Sequence, residues 1–231
     1  QYLAGGKSYT CRATAVGNHS KYLHRARSTA VTVYKLATPT LTVDKAAKAY
    51  TWTGVANASS YVLEIDGVRV NNDIHVSGST YSYTPHYTTI GNHTVKLYAV
   101  GDGYNNINSD TFTYTQVVKA CLAPEITYGY SAERFVNGGT IDVTITTPSA
   151  NANGYLYEIA GESIDSAALT ASKAIESTGK YVVRVKAKGG LFDADEVYYI
   201  DSQFAGGGSG YTITLLAPPT VSSFSINSDG A

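Results

Sequence analysis

The chain has 231 residues, of which 15% are charged, and its formal net charge is −1. This length allows one or two domains of about 100–150 residues each. The near-neutral charge excludes a general nucleic-acid-binding protein, because such a protein needs a basic surface to hold phosphates. No stretch approaches the roughly 18 apolar residues of a membrane span, so we expect no membrane insertion.

The amino-acid usage indicates an all-β protein. The sequence begins at Gln1 and has no methionine, so we expect a processed product, a fragment or a sequence that is not expressed as written. It contains 20 tyrosines against 5 phenylalanines, with many Thr, Ser and Val residues. This usage is typical of half-exposed strands, where a tyrosine ring packs and its hydroxyl reaches water.

Three segments align without gaps: Tyr9–Gly17, His93–Gly101 and Tyr181–Gly189. Each has apolar or small residues at alternate positions, a basic residue between them, and Ala and Gly at fixed offsets. A period of two with one apolar face predicts a half-buried antiparallel strand. The predicted inward residues are Tyr9, Cys11, Ala13 and Ala15 in the first segment, His93, Val95, Leu97 and Ala99 in the second, and Tyr181, Val183, Val185 and Ala187 in the third.

Two further repeated elements divide the chain into modules. One occurs as Tyr61–Gly67 and Tyr155–Gly161, and the other marks joints at Leu36–Pro39, Leu122–Pro124 and Leu216–Pro218. Proline fits the entry to an edge strand, where no ladder N–H is needed. The joints predict the C-terminal part of a module (1–36), two complete modules (37–121 and 122–215) and the start of a further module (216–231).

Each complete module contains six short predicted strands separated by turn residues, which favours a sandwich. Two other segments have different predictions. Asp165–Ala174 predicts a turn or two of helix with Asp165 as its N-cap, and Gly206–Gly210 predicts a flexible insertion. The strands are expected near 40–43, 49–55, 60–70, 80–84, 92–100 and 111–118, and near 125–128, 140–146, 154–160, 180–188, 196–200 and 211–215.

The pattern Thr51–Val55, then Asn57–Tyr61, then Gly91–Gly101 resembles tandem fibronectin type III or bacterial Ig-like modules. The resemblance covers nearly the whole chain and implies tandem β-sandwiches with Trp52 in a core. Modules of this kind are common in long secreted or surface proteins of bacteria and occur in phage structural proteins. The implied location is therefore extracellular, at a cell surface or at a virion surface. The module 122–215 lacks the tryptophan, so its assignment rests on the strand alignments.

The resemblance also implies that the third and sixth strands of such sandwiches are neighbours in one sheet, which here are 60–70 with 92–100 and 154–160 with 180–188. Glu64 would then lie beside Lys96, and Glu158 beside Arg184, on the solvent face. Opposite charges across a ladder contribute about 0.2–1 kcal/mol. The alternative interpretation is solvated surface charge without pairing.

The cysteines and histidines do not have the spacing of a metal site. Cys11 aligns with the inward Val95 and Val183, so we expect a buried thiol that acts as a small apolar residue. Cys121 lies at a joint, where we expect a more accessible free thiol. His93 replaces the tyrosine of the related segments and is predicted to pack.

Two groups of residues are candidates for binding. Calcium favours several oxygens on one loop, but these residue types are also good turn formers, and Tyr104 stands at the third loop position. We therefore predict no cofactor and no metal, with one loop as a calcium candidate: Asp102, Asn105, Asn106, Asn108 and Asp110. Asp193, Asp195 and Glu196 in the corresponding loop of the module 122–215 have the same two interpretations. Candidates for stacking on a sugar are Tyr81, Tyr83, Tyr87 and Tyr104, although strand packing explains their alternation equally well.

The sequence has no nucleophile elbow, phosphate-binding loop or metal cluster, so we predict no enzymatic activity. The predicted function is a structural spacer repeat of a long extracellular fibre, cell-surface protein or virion appendage. Its partners would be neighbouring modules or copies of the same protein, with head-to-tail assembly through strand donation as one form. The other form is a longer chain whose further modules complete the terminal pieces. Both forms are wrong if the terminal pieces pack within their own chain. The alternatives are an adhesin module that binds a glycan or host receptor, and an accessory region of a large secreted enzyme.

Overall fold

A computed structural model describes residues 2–18, 20–21, 25–70, 72–131, 139–217, 220 and 222–223. The described residues form strands and turns and contain no helix, which confirms the all-β prediction. A helix with the length and hydropathy of a membrane crossing is accordingly absent from this part of the chain.

The strands in chain order are β1 (Lys7–Cys11), β2 (Val31–Lys35), β3 (Thr42–Asp44), β4 (Ala49–Thr53), β5 (Ser60–Ile65), β6 (Val68–Val70), β7 (His75–Ser77), β8 (Thr80–Tyr83), β9 (Gly91–Val100), β10 (Asn106–Ile107), β11 (Phe112–Ala120), β12 (Glu125–Ser131), β13 (Gly139–Thr147), β14 (Gly154–Ile159), β15 (Glu162–Ser166), β16 (Thr170–Ile175), β17 (Gly179–Lys188), β18 (Leu191–Phe192), β19 (Tyr198–Ile200) and β20 (Tyr211–Leu215).

The chain forms two compact units, and neither is one continuous segment. The first unit comprises residues 1–119 and 190–200, and the second comprises residues 120–189 and 201–231. The strand predicted near 196–200 exists as β19, but it lies in a sheet of the first unit. Segment 190–200, which the repeat assigns to the module 122–215, therefore contributes to the fold of the preceding module. The module limits derived from the repeat stay a prediction.

The main body of the first unit is a sandwich of two sheets. One sheet has the order β3-β4-β8-β7, and the other has the order β18-β19-β11-β9-β5-β6. Trp52, predicted as a core residue, is 2% exposed and stacks on Tyr81 with ring centroids 5.8 Å apart. Both sheets contribute buried residues to one core: Leu41, Tyr50, Trp52, Leu63, Tyr83, Val95, Leu97, Val118, Phe192 and Tyr198.

A third sheet of the first unit has the order β1-β2-β10. Strand β10 lies parallel to β2, and the N–H groups of Tyr34 and Leu36 donate to the carbonyls of Asn105 (2.6 Å) and Ile107 (3.1 Å). The N-terminal piece thus pairs with its own chain on this side, and Leu36 is fully buried. This pairing goes against the expectation that a neighbouring copy completes that piece.

The predicted burial of the two cysteines is wrong in both cases. Cys11 is exposed, because inward parity buries a side chain only where another layer covers it, and the end of β1 is not covered. Cys121 is 5% exposed, and its thiol donates to the carbonyl of Asn151 at 3.2 Å. Burial raises the pKa of the Cys121 thiol, which makes it a poor nucleophile.

The second unit repeats the sandwich of the first. Its sheets have the orders β12-β13-β16 and β15-β14-β17-β20, which correspond to β3-β4-β8 and β6-β5-β9-β11. Val183, Val185 and Ala187 of β17 are buried as the alignment predicts, and Tyr181 is half-buried. Both sheets supply buried side chains, which are Ile141, Val143, Ile145, Tyr155, Tyr157, Ile159, Ile175, Val183, Val185 and Ala187.

The helix predicted at Asp165–Ala174 is wrong. Its residues end β15, turn, and begin β16, which pair with β14 and β13 respectively. Two sheet ladders outweigh the helix preference of a short Ala-containing segment. The Asp165 carboxylate caps no helix and instead accepts a hydrogen bond from Nζ of Lys188. Segment Gly206–Gly210 forms successive turns, with Gly210 N–H donating to the Gly207 carbonyl at 3.2 Å.

The predicted neighbours in the sheets are confirmed. Strand β5 pairs with β9 and β14 with β17, with Glu64 opposite Lys96 and Glu158 opposite Arg184. Nε of Arg184 donates to Oε2 of Glu158 at 2.5 Å. Glu64 differs, because its carboxylate pairs with Nε of Arg69 at 3.3 Å.

A double-mutant cycle distinguishes these two sites. We expect Glu158→Gln and Arg184→Gln to show a coupling of about 0.2–1 kcal/mol in the free energy of unfolding, since a half-buried pair across a ladder is stabilising. The matched cycle of Glu64→Gln and Lys96→Gln should give a smaller coupling. Equal couplings in chemical denaturation would contradict the assignment of the Glu64 carboxylate to Arg69.

Candidate functional site

A hairpin, residues 190–200, completes the core of the first unit. Its strands β18 and β19 extend the sheet beyond β11, and Phe192 and Tyr198 are 6% and 5% exposed. The Phe192 ring lies 5.7 Å from the Tyr50 ring, and the Tyr198 hydroxyl donates to the Pro85 carbonyl at 2.9 Å. The hairpin therefore supplies aromatic core residues and does not merely lie on the surface.

The turn of hairpin 190–200 is held by its own polar residues. Oδ1 of Asp193 accepts hydrogen bonds from the N–H groups of Asp195 (2.9 Å) and Val197 (3.0 Å). Glu196 has a φ of 61°, which is the left-handed conformation that lets the chain reverse. Nζ of Lys45 donates to the carbonyl of Ala194 at 2.7 Å, which ties the turn to the loop before β4.

A buried polar network lies under the hairpin and centres on Gln116, which is fully buried. The Tyr50 hydroxyl donates to Oε1 of Gln116 at 2.8 Å and is 2.8 Å from the Tyr87 hydroxyl, which must then be the donor of that second bond. Nε2 of Gln116 donates to the carbonyls of Glu196 (2.7 Å) and Val117 (2.8 Å). The amide thus has partners for its oxygen and for both of its N–H groups.

The environment of this network keeps its phenols neutral. Burial raises the pKa of Tyr50 and of Tyr87 above their ordinary value. Burial, together with a hydrogen bond to the Glu196 carboxylate, raises the pKa of Tyr114 to about 12. None of these three hydroxyls is therefore suited to act as a base at neutral pH.

A second pattern fixes where the connection from β9 to β11 and the connection from β17 to β20 begin and end. The N–H of Ala99 donates to the Ser109 hydroxyl at 2.8 Å, and the N–H of Ser109 donates to the Ala99 carbonyl at 3.0 Å. Ala187 and Ser202 repeat the arrangement, with both distances at 2.9 Å. The intervening connections are residues 102–107 and 190–200, and each contains strand structure.

The preceding residues repeat the pattern as well. Oδ1 of Asn108 accepts from Gly101 N–H at 3.0 Å, and Oδ1 of Asp201 accepts from Gly189 N–H at the same distance. A Cβ on Gly101 would come within 2.0 Å of the Asn106 carbonyl oxygen, so only glycine fits there. The two connections are therefore attached to their strands in the same way.

The calcium candidates make other contacts. Oδ1 of Asp102 accepts from the N–H groups of Tyr104, Asn105 and Asn106, and these hydrogen bonds lower its pKa to about 2. Asp110 pairs with Nζ of Lys35 at 3.0 Å. In the part of the chain that the structure describes, no group of three or more His, Cys, Asp and Glu residues is arranged to hold a metal ion.

The tyrosine candidates do not form one platform. Tyr81 and Tyr83 pack in the core of the first unit, and Tyr87 packs against His93 with ring centroids 4.7 Å apart. Tyr104 is 84% exposed on the loop that Asp102 organises. Sugar stacking therefore stays a prediction that, in this geometry, depends on Tyr104.

His93 is a packed residue, as its place in the repeat predicts. Its side chain lies between two acceptors, with Nδ1 2.6 Å from Oδ2 of Asp66 and Nε2 3.0 Å from the Thr89 carbonyl. The hydrogen bond between Nδ1 of His93 and the Asp66 carboxylate is the main cause that lowers the pKa of Asp66.

One groove of the first unit is lined mainly by hydroxyls. It has a volume of about 360 Å³ and is lined by Thr38, Pro39, Thr40, Thr42, Thr51, Trp52, Thr53, Val55 and Thr80. A threonine hydroxyl without a neighbouring base is a poor nucleophile, and this lining contains no His, Asp, Glu or Lys. The groove can offer hydrogen bonds but no acid–base pair.

Comparison with known proteins gives structural matches only. No family model and no curated protein sequence matches the chain. The FN1–FN3 domains of chicken CNTN1 match 90% of this chain and 75% of theirs, at 13% identity and a TM-score of 0.29. Fibronectin(III)-like modules of Clostridium thermocellum CbhA match 68% of this chain and 80% of theirs, at 15% identity and a TM-score of 0.26.

A third match is SGBP-B of the Bacteroides ovatus mixed-linkage glucan utilization locus, in complex with a mixed-linkage heptasaccharide. It covers 92% of this chain and 52% of that chain, at 14% identity and a TM-score of 0.22. Because these TM-scores are low, the fold is assigned from the strand orders of the two units. The fold is a tandem Ig-like or fibronectin type III-like sandwich.

The Gln116 network tests whether the hairpin is needed for stability. Gln116→Leu keeps the volume but removes the buried acceptor of the Tyr50 hydroxyl hydrogen and the buried donor to the Glu196 carbonyl. We expect a loss of about 1–3 kcal/mol in the free energy of unfolding, measured by urea denaturation. Gln203→Leu, at an exposed position, is the control and should change stability little. Equal effects of the two substitutions would contradict this role of Gln116.

The pKa of Asp102 gives a pH prediction for the loop. Its folded pKa of about 2 lies below the ordinary value near 3.9, so its stabilising effect is present above pH ~4 and lost as the pH falls towards 2. Asp102→Asn should therefore be less stable than the parent chain at neutral pH, with a difference that shrinks between pH ~4 and 2. Asp73→Asn controls for surface charge. A difference independent of pH would show that the carboxylate charge has no such effect.

Proposed function

We propose that the chain is a non-catalytic spacer that carries load within a long extracellular fibre, cell-surface protein or virion appendage. The observation that supports it most directly is the course of the chain between its two units. The chain passes from the first unit to the second after Lys119, returns to the first at Gly190, and enters the second again at Asp201. A tandem pair joined by one linker would have a single such passage.

The three passages have a mechanical consequence. Hairpin 190–200 is covalently continuous with the second unit at both of its ends, while its strands belong to the sheet of the first unit. A pull on either end of the hairpin removes β18 and β19 from that sheet only if Phe192 and Tyr198 also leave the core. Exposing two nearly buried aromatic side chains is costly, at roughly 1.5–3 kcal/mol each.

The groove lining and the packing of the tyrosines, among the residues that the structure describes, favour this function over the alternatives. The lining of the hydroxyl-rich groove of the first unit offers no acid–base pair, and three of the four tyrosine candidates for glycan binding are occupied with packing. The regular repetition of sandwich topology suits a protein that gains length by adding modules. An extracellular or surface location belongs to the same proposal.

Force spectroscopy tests the load-bearing role. The chain is stretched between handles at its two termini and compared with a variant in which residues 190–200 are replaced by Gly and Ser residues of equal number. We expect the first unit of the variant to unfold at lower force, because its sheet has lost β18 and β19. A control variant, Asp195→Ser, changes an exposed turn residue of the same hairpin and should behave as the parent chain. Equal unfolding forces for parent and hairpin variant would overturn the proposal.

A further inference from the structure

The last strand of a module in the first unit is paired on both of its edges. Strand β2 lies between β1 and β10, and β11 lies between β9 and β19. In each case the second neighbour comes from the next module along the chain. It lies in the connection from β9 to β11 for β2, and in the connection from β17 to β20 for β11. These connections are 102–107 for β2 and 190–200 for β11, and equivalent Ala–Ser hydrogen bonds fix both.

Strand β20 is the corresponding last strand of the second unit. Its partner on one edge is β17, and its other edge has no strand beside it among the described residues. The strand registers make the positions equivalent, because Tyr9 lies opposite Val33, His93 opposite Gln116 and Tyr181 opposite Ile213. Val33, Gln116 and Ile213 therefore occupy the same place in their modules.

This equivalence identifies the hydrogen-bonding groups on the open edge. In β2 the N–H groups of Tyr34 and Leu36 donate to the connection 102–107. The residues at the same places in the second unit are Thr214 and Leu216. Their N–H groups should point away from β17, towards the open edge, where a further strand would accept from them.

The length of the neighbouring strand matches the burial of equivalent side chains. Gln116 is fully buried and Val118 is 2% exposed in β11, which has the hairpin 190–200 beside it. The equivalent Val33, beside the two-residue β10, is half-buried, and so are Ile213 and Leu215 at the open edge. Leu122 and Leu216, which share the joint position of the buried Leu36, are 77% and 78% exposed, so the exposure of Leu216 does not depend on the open edge.

We propose that the open edge of β20 is the docking site for a strand from a following module of the same repeat. That strand lies in the connection of the following module that is equivalent to 102–107 and 190–200, which supply a neighbouring strand to β2 and β11. The occupant is argued from the same pairing at both preceding joints, and from Leu216–Pro218, which repeats the joint sequence. This inference rests on the proposed function, since it requires a repeat of modules.

An extended chain tests the inference. Residues 138–215 are added after Ala231, because 216–231 aligns with 122–137, so that the addition completes one further module. Amide exchange of Thr214 and Leu216 is followed by NMR in the parent and extended chains, with Tyr34 and Leu36 as paired references. We expect exchange at Thr214 and Leu216 to slow by about tenfold or more in the extended chain.

The matched control is the same extended chain with the added copy of 190–200 replaced by Gly and Ser residues of equal number. It should leave exchange at Thr214 as fast as in the parent. The added copy of β17 reports whether the new module has folded, and a second version, 1–215 followed by 122–231, replaces the first if it has not. A folded added module without protection of Thr214, or equal protection in the control, would overturn the inference.

Two further outcomes distinguish this inference from dimerisation of the chain and from the proposed function. If protection of Thr214 in the parent chain rises with protein concentration, the edge is filled by a second copy, and docking of a following module is wrong. If protection fails in the extended chain while the hairpin variant still unfolds at lower force, this inference fails and the proposed function stands.

Discussion

A strand at the edge of a sheet has a row of backbone N–H and C=O groups without partners, and that constraint organises the first unit. Strands β2 and β11 each close a sheet on one side only, and each obtains its second neighbour from a later connection of the chain. The short parallel strand β10 covers the free edge of β2, and the longer hairpin β18–β19 covers the free edge of β11. In both, the connection that a single sandwich would leave in solvent becomes part of a sheet.

Pairing alone does not fix which residues lie opposite one another, and the buried amide of Gln116 supplies that information. A side chain with one acceptor and two donor hydrogens is satisfied by a single arrangement of the Tyr50 hydroxyl and two carbonyls. An apolar residue at this position would tolerate a hairpin displaced along the strand. The network therefore selects one position of the hairpin against β11.

The strands and their faces could be predicted from the sequence because a period of two records which side is buried. The core position of Trp52 and the pairing of Glu158 with Arg184 came from the resemblance to fibronectin type III or bacterial Ig-like modules. The position of hairpin 190–200 could not, because Leu191, Phe192 and Tyr198 have the same signature whichever sheet receives them. The burial of Cys11 was predicted wrongly for a related reason, since parity gives a side but not what covers it. The burial of Cys121 was predicted wrongly because a position at a joint does not show which residues pack on it. Gln116 had a visible signal, as an amide at an inward position of β11.

The hairpin also has a consequence for biosynthesis. The first unit cannot acquire its complete core when Lys119 leaves the ribosome, because Phe192 and Tyr198 have not yet been made. Until then Tyr50 and Gln116 lie in a core without its last cover, and the edge of β11 remains open to other chains. Translation rate and chaperone binding over the intervening stretch therefore bear on yield more than they would for modules that fold one after another.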